Sequence, residues 1–194
     1  YALANMAARN SYHAEEYIER LQYDCRILAQ SMQFSPIFEA EISDTFIDTI
    51  ELAAPLCDVG NIGIPKDILQ KKEKLTAEEL FVLKGHTEIG ARLLSDLQVS
   101  NDYNDFIRMS IDIAQSHHEN WNGTGYPNGL KGDEIPLAAQ IVSLVNVFCA
   151  LTEKRSFREE FSREEALGIM KEDAENKYHP DIFKIFCKVL RQLH

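Results

Sequence analysis

From Leu137 to Leu151 the chain reads Leu-Ala-Ala-Gln-Ile-Val-Ser-Leu-Val-Asn-Val-Phe-Cys-Ala-Leu, directly after Pro136. Proline opens helices well, because its fixed φ suits the first turn and its missing N–H would go unbonded there anyway. The helix that follows carries Ile141, Val142, Leu144, Val145, Val147, Phe148 and Leu151, which leave it apolar on nearly every side. Such a helix must be buried at the centre, with other segments packed around it. The remaining segments are helical in their periodicity. None alternates apolar and polar residues between hairpin turns, so strands are few or absent and the expected class is all-α. With 194 residues, 45% hydrophobic and 26% charged, residues 1–194 are expected to form one globular domain with a sizeable core.

Local signals divide the chain further. A helix is expected over about residues 14–33, with Tyr17, Leu21, Ile27 and Leu28 on its apolar side. Ser35-Pro36 reads as an N-cap with proline at the first helical position. That helix is expected to run to about Cys57-Asp58, kinked at Pro55, and to stop at Gly60. Thr76-Ala77-Glu78-Glu79 is a capping box opening the helix that carries His86. A further helix is expected from Asp102 to about His118. Residues 120–135 form a Gly/Asn-rich loop too long for a plain connector. Ser162-Arg163-Glu164-Glu165 is a second capping box, and His179-Pro180 begins the last helix.

Composition excludes several classes. No apolar run reaches the roughly 18 residues needed to cross a bilayer, and Tyr1-Ala2-Leu3-Ala4-Asn5-Met6 is not a signal peptide. The start reads as that of a fragment, its first helix continuing into an upstream regulatory domain. A net charge of −11 argues against nucleic-acid binding, and a small anionic ligand would need a local basic pocket. Cys25, Cys57, Cys149 and Cys187 show no paired spacing, so they are read as reduced thiols of a cytoplasmic protein.

The chemistry concentrates in His117-His118-Glu119-Asn120-Trp121-Asn122-Gly123-Thr124-Gly125-Tyr126-Pro127 and in Cys57-Asp58-Val59-Gly60-Asn61-Ile62-Gly63-Ile64-Pro65. Neutral imidazoles with a carboxylate suit first-row transition metals. Neighbours on a helix point about 100° apart, so His117 and His118 can share one ion only from a helix end. That is where they lie, while Asp58 ends one helix and His86 lies on another. Taken singly, each histidine is more simply a surface or capping residue, favoured near a helix C-terminus by the dipole. The argument for metal rests on the set.

These segments resemble the HD-GYP family, metal-dependent phosphodiesterases of the bacterial messenger cyclic di-GMP. Matches run from about Tyr12 to Asp181 and include Gly60-x-Ile62-Gly63-Ile64-Pro65, Lys84-x-His86-x-Glu88-Ile89-Gly90, His117-His118-Glu119-x-Trp121 and Gly123-x-Gly125-Tyr126-Pro127. The resemblance implies an HD-domain helical core with additional helices and a site of two or three metals. Asp58 matches the bridging, catalytic aspartate, and His86, His117 and His118 match three ligands of one metal. The other metal's ligands are degenerate. Cys57 replaces the motif histidine, Asn146 a ligating aspartate, and Tyr17 falls where an N-terminal histidine would sit, with His13 or Glu16 as alternative donors. Asn61 replaces a lysine expected near the scissile phosphate, and Cys149 a second aspartate of the buried helix. One ion (iron, manganese or zinc) is therefore expected, with the second site lost.

The resemblance also assigns ligand contacts. Arg155 and Arg158 stand where family members place basic residues against the ligand phosphates, and arginine's planar fork suits phosphate. A solvated loop is the competing reading for both. Tyr126 and Gly125 belong to the ligand-binding loop, which the family also uses to contact diguanylate-cyclase (GGDEF) domains. Trp121 is expected to pack rather than bind. The sequence favours a catalytically weak or silent output domain, binding cyclic di-GMP or a signalling protein, with a homodimer as a further expectation. The alternative is an active phosphodiesterase with altered metal ligands, releasing pGpG or GMP.

Overall fold

The structure is a computed structural model and describes residues 15–97, 104–153 and 160–194. The described residues contain helices and no strand. Helix α1 (Glu15–Gln33) is followed by α2 (Asp44–Ala53), two 3-10 turns (Ala54–Leu56 and Val59–Gly63) and the short α3 (Lys66–Leu69). Next come α4 (Ala77–Lys84), α5 (His86–Asp96) and α6 (Asp105–Ser116). The loop of interest and a 3-10 turn (Gly132–Glu134) lead to α7 (Leu137–Thr152), then α8 (Arg163–Lys171), α9 (Ala174–Lys177) and α10 (Pro180–Val189).

Helix α7 is the axis of the core and packs against α1, α6 and α8. Ile141, Val142, Leu144, Val145 and Phe148 are fully buried, each contributing roughly 1.5–3 kcal/mol through its burial. The helix is not apolar all round. Ser143, Asn146, Val147 and Ala150 are only partly buried, and their spacing of three and four residues lines one face. That face borders the site described below. Arg20 from α1 closes the C-terminal end of α7, donating to the Thr152 hydroxyl at 2.5 Å.

Several expected boundaries move. Ser35 does not cap a helix. Residues 35–42 form turns, and Ser43 is the N-cap of α2, its hydroxyl accepting from the Phe46 N–H. Pro55 does not kink a continuing α-helix, which ends at Ala53 and gives way to the 3-10 turn containing Pro55. Proline lacks the N–H that the α ladder would need there. The Thr76 capping box forms, but its helix ends at Lys84, and His86 opens a separate helix after Gly85. Asn104 caps α6, donors being the Phe106 and Ile107 N–H groups. The Ser162 box and the His179-Pro180 start are formed as expected. Cys25, Cys57, Cys149 and Cys187 are free thiols. No described helix is long and apolar enough to cross a membrane.

The turn Val59–Gly63 lies directly on α5, and this contact sets the distance between Asp58 and His86. A Cβ on Gly60 would fall 1.8 Å from the His86 carbonyl oxygen and 2.6 Å from the Gly90 nitrogen. Backbone, not a movable side chain, blocks the space. Gly60→Ala is expected to destabilise the protein by about 3 kcal/mol, the upper range for overpacking. Thr76→Ala, which removes only a cap, should cost about 1 kcal/mol. Urea unfolding midpoints of the two variants test this ordering.

Candidate metal centre

Four side chains converge from three elements. Asp58 precedes the Val59–Gly63 turn, His86 is the first residue of α5, and His117 and His118 follow the last turn of α6. One donor atom from each lies within 4.8 Å of all the others. His86 Nε2 is 3.4 Å from Asp58 Oδ1, and His117 Nε2 is 3.9 Å from the same oxygen. The two Nε2 atoms are 3.5 Å apart. His118 completes the group, its ring centroid 4.2 Å from that of His117 and 5.1 Å from that of His86.

The second nitrogens fix the tautomers. His86 Nδ1 is 2.7 Å from the Leu83 carbonyl, and His117 Nδ1 is 2.9 Å from the Ile113 carbonyl. A carbonyl only accepts, so each Nδ1 carries the proton and each neutral ring presents the Nε2 lone pair inward. Two lone pairs and a carboxylate then face one small volume. Either a proton or a cation relieves that arrangement. Burial disfavours the proton, pushing His117 down to about 4, with Asp58 opposing the shift and His86 adding to it. Burial also holds His118 well below the usual imidazole range, helped by His117 and His86. The donor set therefore fits a divalent transition-metal ion. Carbonyl-anchored imidazoles are the usual second layer of such sites.

The positions assigned to another metal present a different picture. Tyr17 and Cys57 are buried, and the Tyr17 hydroxyl donates a hydrogen bond to the Asn146 side-chain oxygen. Burial raises the Tyr17 phenol, as do neighbouring Cys149, Cys57 and Asp58. Cys57 Sγ is 3.8 Å from Asp58 Oδ2, and burial and then that carboxylate raise its thiol. Phenol and thiol are thus neutral and linked to Asn146 and Asp58. Neither Cys57 nor Glu16 belongs to the four-residue cluster, and Glu16 is exposed. Asn61 donates to Asp58 Oδ1 at 3.3 Å. Cys149 is not part of the cluster and contacts the buried Asp24 carboxylate at 3.7 Å. His13, Arg155 and Arg158 lie outside the described residues.

The loop after His118 folds back over the cluster. The Tyr126 N–H donates to the His118 carbonyl at 3.1 Å, and the Tyr126 ring stacks on His118 with centroids 4.7 Å apart. Gly125 permits this return, because a Cβ there would sit 2.3 Å from the Asn120 nitrogen and 2.4 Å from the Glu119 Cα. The Tyr126-Pro127 peptide is cis. Trp121 rests its ring on His179, centroids 4.4 Å apart, and its backbone bonds to Lys177 and Gly132. It packs the loop onto the α9–α10 junction.

Glu119 received no role from the sequence, although it stands beside the paired histidines. Its side chain is buried, and its two oxygens accept from the Asn128 N–H at 2.8 Å and the Leu130 N–H at 3.0 Å. One carboxylate thus staples the far side of the loop to the end of α6. The signal available was an acid followed by a glycine-rich turn, whose free N–H groups need acceptors. Sequence reading also missed the cavity beside the histidines, about 340 Å³, whose wall includes Lys84, Ser143 and Lys177.

With the geometry in place, comparison with known proteins is informative. The HD domain family matches residues 3–182, and the chain belongs to that family. Over 187 residues it is 36% identical to a probable cyclic di-GMP phosphodiesterase of Vibrio cholerae, covering 96% of this chain and 42% of the relative. It is 37% identical over 155 residues to a cyclic di-GMP phosphodiesterase of Thermotoga maritima, covering 80% of this chain and 41% of that protein. The chain thus spans about two-fifths of these relatives. An HDG"Y"P protein from Bdellovibrio bacteriovorus shares the fold at a TM-score of 0.63 and 23% identity, covering 90% of this chain and 52% of its own. A cyclic GMP-AMP specific phosphodiesterase of V. cholerae does so at 0.66 and 17%, covering 98% and 47%. The HD-GYP resemblance of the sequence and the all-helical fold both stand.

Two outcomes follow from the site. Glu119→Gln leaves one loop N–H facing a donor instead of an acceptor and should destabilise the loop by about 1–3 kcal/mol. Faster amide exchange at residues 122–130, with α7 unchanged, would be the readout. In metal-free protein, His117 titrates near 4 when folded but near 6.5 when unfolded. A depressed histidine keeps its stability contribution above the unfolded value and loses it as pH falls through the folded one. The melting temperature of the metal-free chain should therefore drop from about pH 6.5 towards pH 4. His117→Asn should flatten that drop.

Proposed function

We propose that this chain is an HD-GYP output domain of cyclic di-GMP signalling whose metal centre is reduced to a single ion. On this reading it is catalytically weak or silent and acts by binding a cyclic dinucleotide or a signalling protein. One observation carries the reading: at the other metal's expected ligand positions, the buried Tyr17 phenol is hydrogen-bonded to the partly buried Asn146 amide, and the buried Cys57 thiol is turned to Asp58. Asp58, His86, His117 and His118 are the residues that would hold the remaining ion.

A bound ion would lower the pKa of a coordinated water and neutralise phosphate oxygens. A two-ion phosphodiesterase adds a clamp on both the attacking and the leaving oxygen. Here a phenol and an amide occupy that half, and neither offers a carboxylate's charge. Asn61 contributes a further weakening, since it is neutral and is turned towards Asp58. Asp58 keeps its place as the acceptor shared by His86, His117 and Asn61. Tyr126 and Gly125 shape the ligand side of the site, with Arg155 and Arg158 as proposed phosphate contacts. The loop Gly123 to Pro127, stapled by Glu119, is the proposed docking edge for a GGDEF domain or another signalling protein in the cytoplasm.

The second reading is an active phosphodiesterase, favoured by the curated relatives, whose names carry that activity. Metal content per chain, measured on protein purified without affinity-column metals, separates the two. About one ion, with little release of pGpG or GMP from cyclic di-GMP, is expected. Two ions with manganese-dependent hydrolysis would establish the second reading instead. Tyr17→His with Cys57→His and Asn146→Asp should bring the content towards two ions. A triple variant still at one ion would refute the ligand assignment.

A further inference from the structure

The cavity beside the histidines holds about 340 Å³, and the cations in its described wall are Lys84 and Lys177. Lys177 is engaged by Asp173 at 3.5 Å. Lys84 is different. It ends α4, two residues before His86, and its ammonium lies 4.9 Å from the centre of the Tyr126 ring. Among the described residues no carboxylate pairs with it, in a chain where 31 acids face 20 lysines and arginines. Lys71, by contrast, is held by Glu79 at 2.7 Å. The Lys84 charge also reaches His118, where it adds to the burial that keeps that imidazole neutral.

An unpaired ammonium beside a metal-type cluster is poised for an anion. The Tyr126 ring face holds it by a cation–π contact, which is weak at an exposed position. A phosphate oxygen offers a stronger, charge-assisted hydrogen bond, and so displaces the ring. Asn61, which stands where the family resemblance leads one to expect a lysine, supplies no charge and is bonded to Asp58. We propose that Lys84 is a substrate-binding residue that grips a non-bridging phosphate oxygen of a phosphodiester held against Asp58, His86, His117 and His118. It supplies from the α4 end the positive charge that Asn61 lacks. This rests on the proposed reading of the site as a phosphodiester-binding metal centre.

The test uses the full chain loaded with manganese and two probes, cyclic di-GMP and the simple diester bis(4-nitrophenyl) phosphate. Binding is measured by calorimetry at low and high salt for the natural chain, Lys84→Gln and Lys84→Arg, with metal content and melting temperature recorded for each. Lys84→Gln should weaken both probes about tenfold and flatten the salt dependence, with metal content unchanged. Lys84→Arg should recover most of the affinity, because a cation of similar reach is restored. Equal affinity in the natural chain and Lys84→Gln overturns the role of Lys84 and leaves the site reading intact. A natural chain that carries metal but binds neither probe overturns both. A loss in Lys84→Gln that Lys84→Arg does not recover, with a lowered melting temperature, would make Lys84 a prop for Tyr126 and overturn the proposal.

Discussion

The backbone of the Val59–Gly63 turn lies against the first turn of α5, and only a residue without a side chain fits at position 60. That contact brings the Asp58 carboxylate to within 3.4 Å of His86 Nε2. Helix α6 also packs on α5 and delivers His117 and His118 from its C-terminal end. Two of the three imidazoles are then locked by a carbonyl about one turn back along their own segments, Leu83 for His86 and Ile113 for His117. The cluster is thus a product of backbone contacts, not of adaptable side chains. Its donors are held in the positions a metal ion would need before any ion arrives, which lowers the ordering cost of binding.

Tight packing also governs Tyr17, Cys57 and Asn146. Helix α1 and helix α7 pack closely along the core, and Tyr17 and Asn146 meet where they cross. In an apolar interior an unpaired phenol or amide would be costly, so the two satisfy each other. Cys57 fits beside them as a neutral thiol and belongs to the hydrophobic core cluster. Tyr17 and Cys57 are thus part of the core packing, with Asn146 bonded at its edge. Placing an ion among them would require undoing a hydrogen bond and reopening part of the core. Replacing one ligand alone would leave a buried polar group without its partner.

The fold was legible where the sequence carries local physics. The α7 run, the Thr76 and Ser162 boxes and His179-Pro180 each depend on neighbours within a few residues, and each is where it was expected. The misread points depend on packing. Ser35 looks like a cap, but residues 35–42 turn so that Phe38 and Ile42 can be buried, and Ser43 caps instead. Nothing local says that the helix of the Thr76 box ends before His86, because Gly85 keeps near-helical angles. The half-polar stripe of α7 was present in the sequence as Ser143 and Asn146, but the weight of apolar residues around it concealed its direction. Glu119 was visible as a residue and invisible as a staple, since its partners, Asn128 and Leu130, are found only once the loop has folded back.

The loop after His118 is held independently of Tyr17, Cys57 and Asn146. Its shape is held by Glu119, by the Trp121–His179 contact and by the backbone bond from Tyr126 to His118. None of these involves Tyr17, Cys57 or Asn146. The loop and the Tyr17–Asn146 pair therefore rest on separate sets of interactions, and residues with no shared partners contribute nearly independently. Changes at Tyr17 or Asn146 would therefore leave the stapled loop mechanically untouched. The remaining histidines couple the two sets at one point, where His118 belongs to the cluster on one side and stacks on Tyr126 on the other. An ion bound at the cluster would fix the His118 ring, and through that stacked pair the loop beside it.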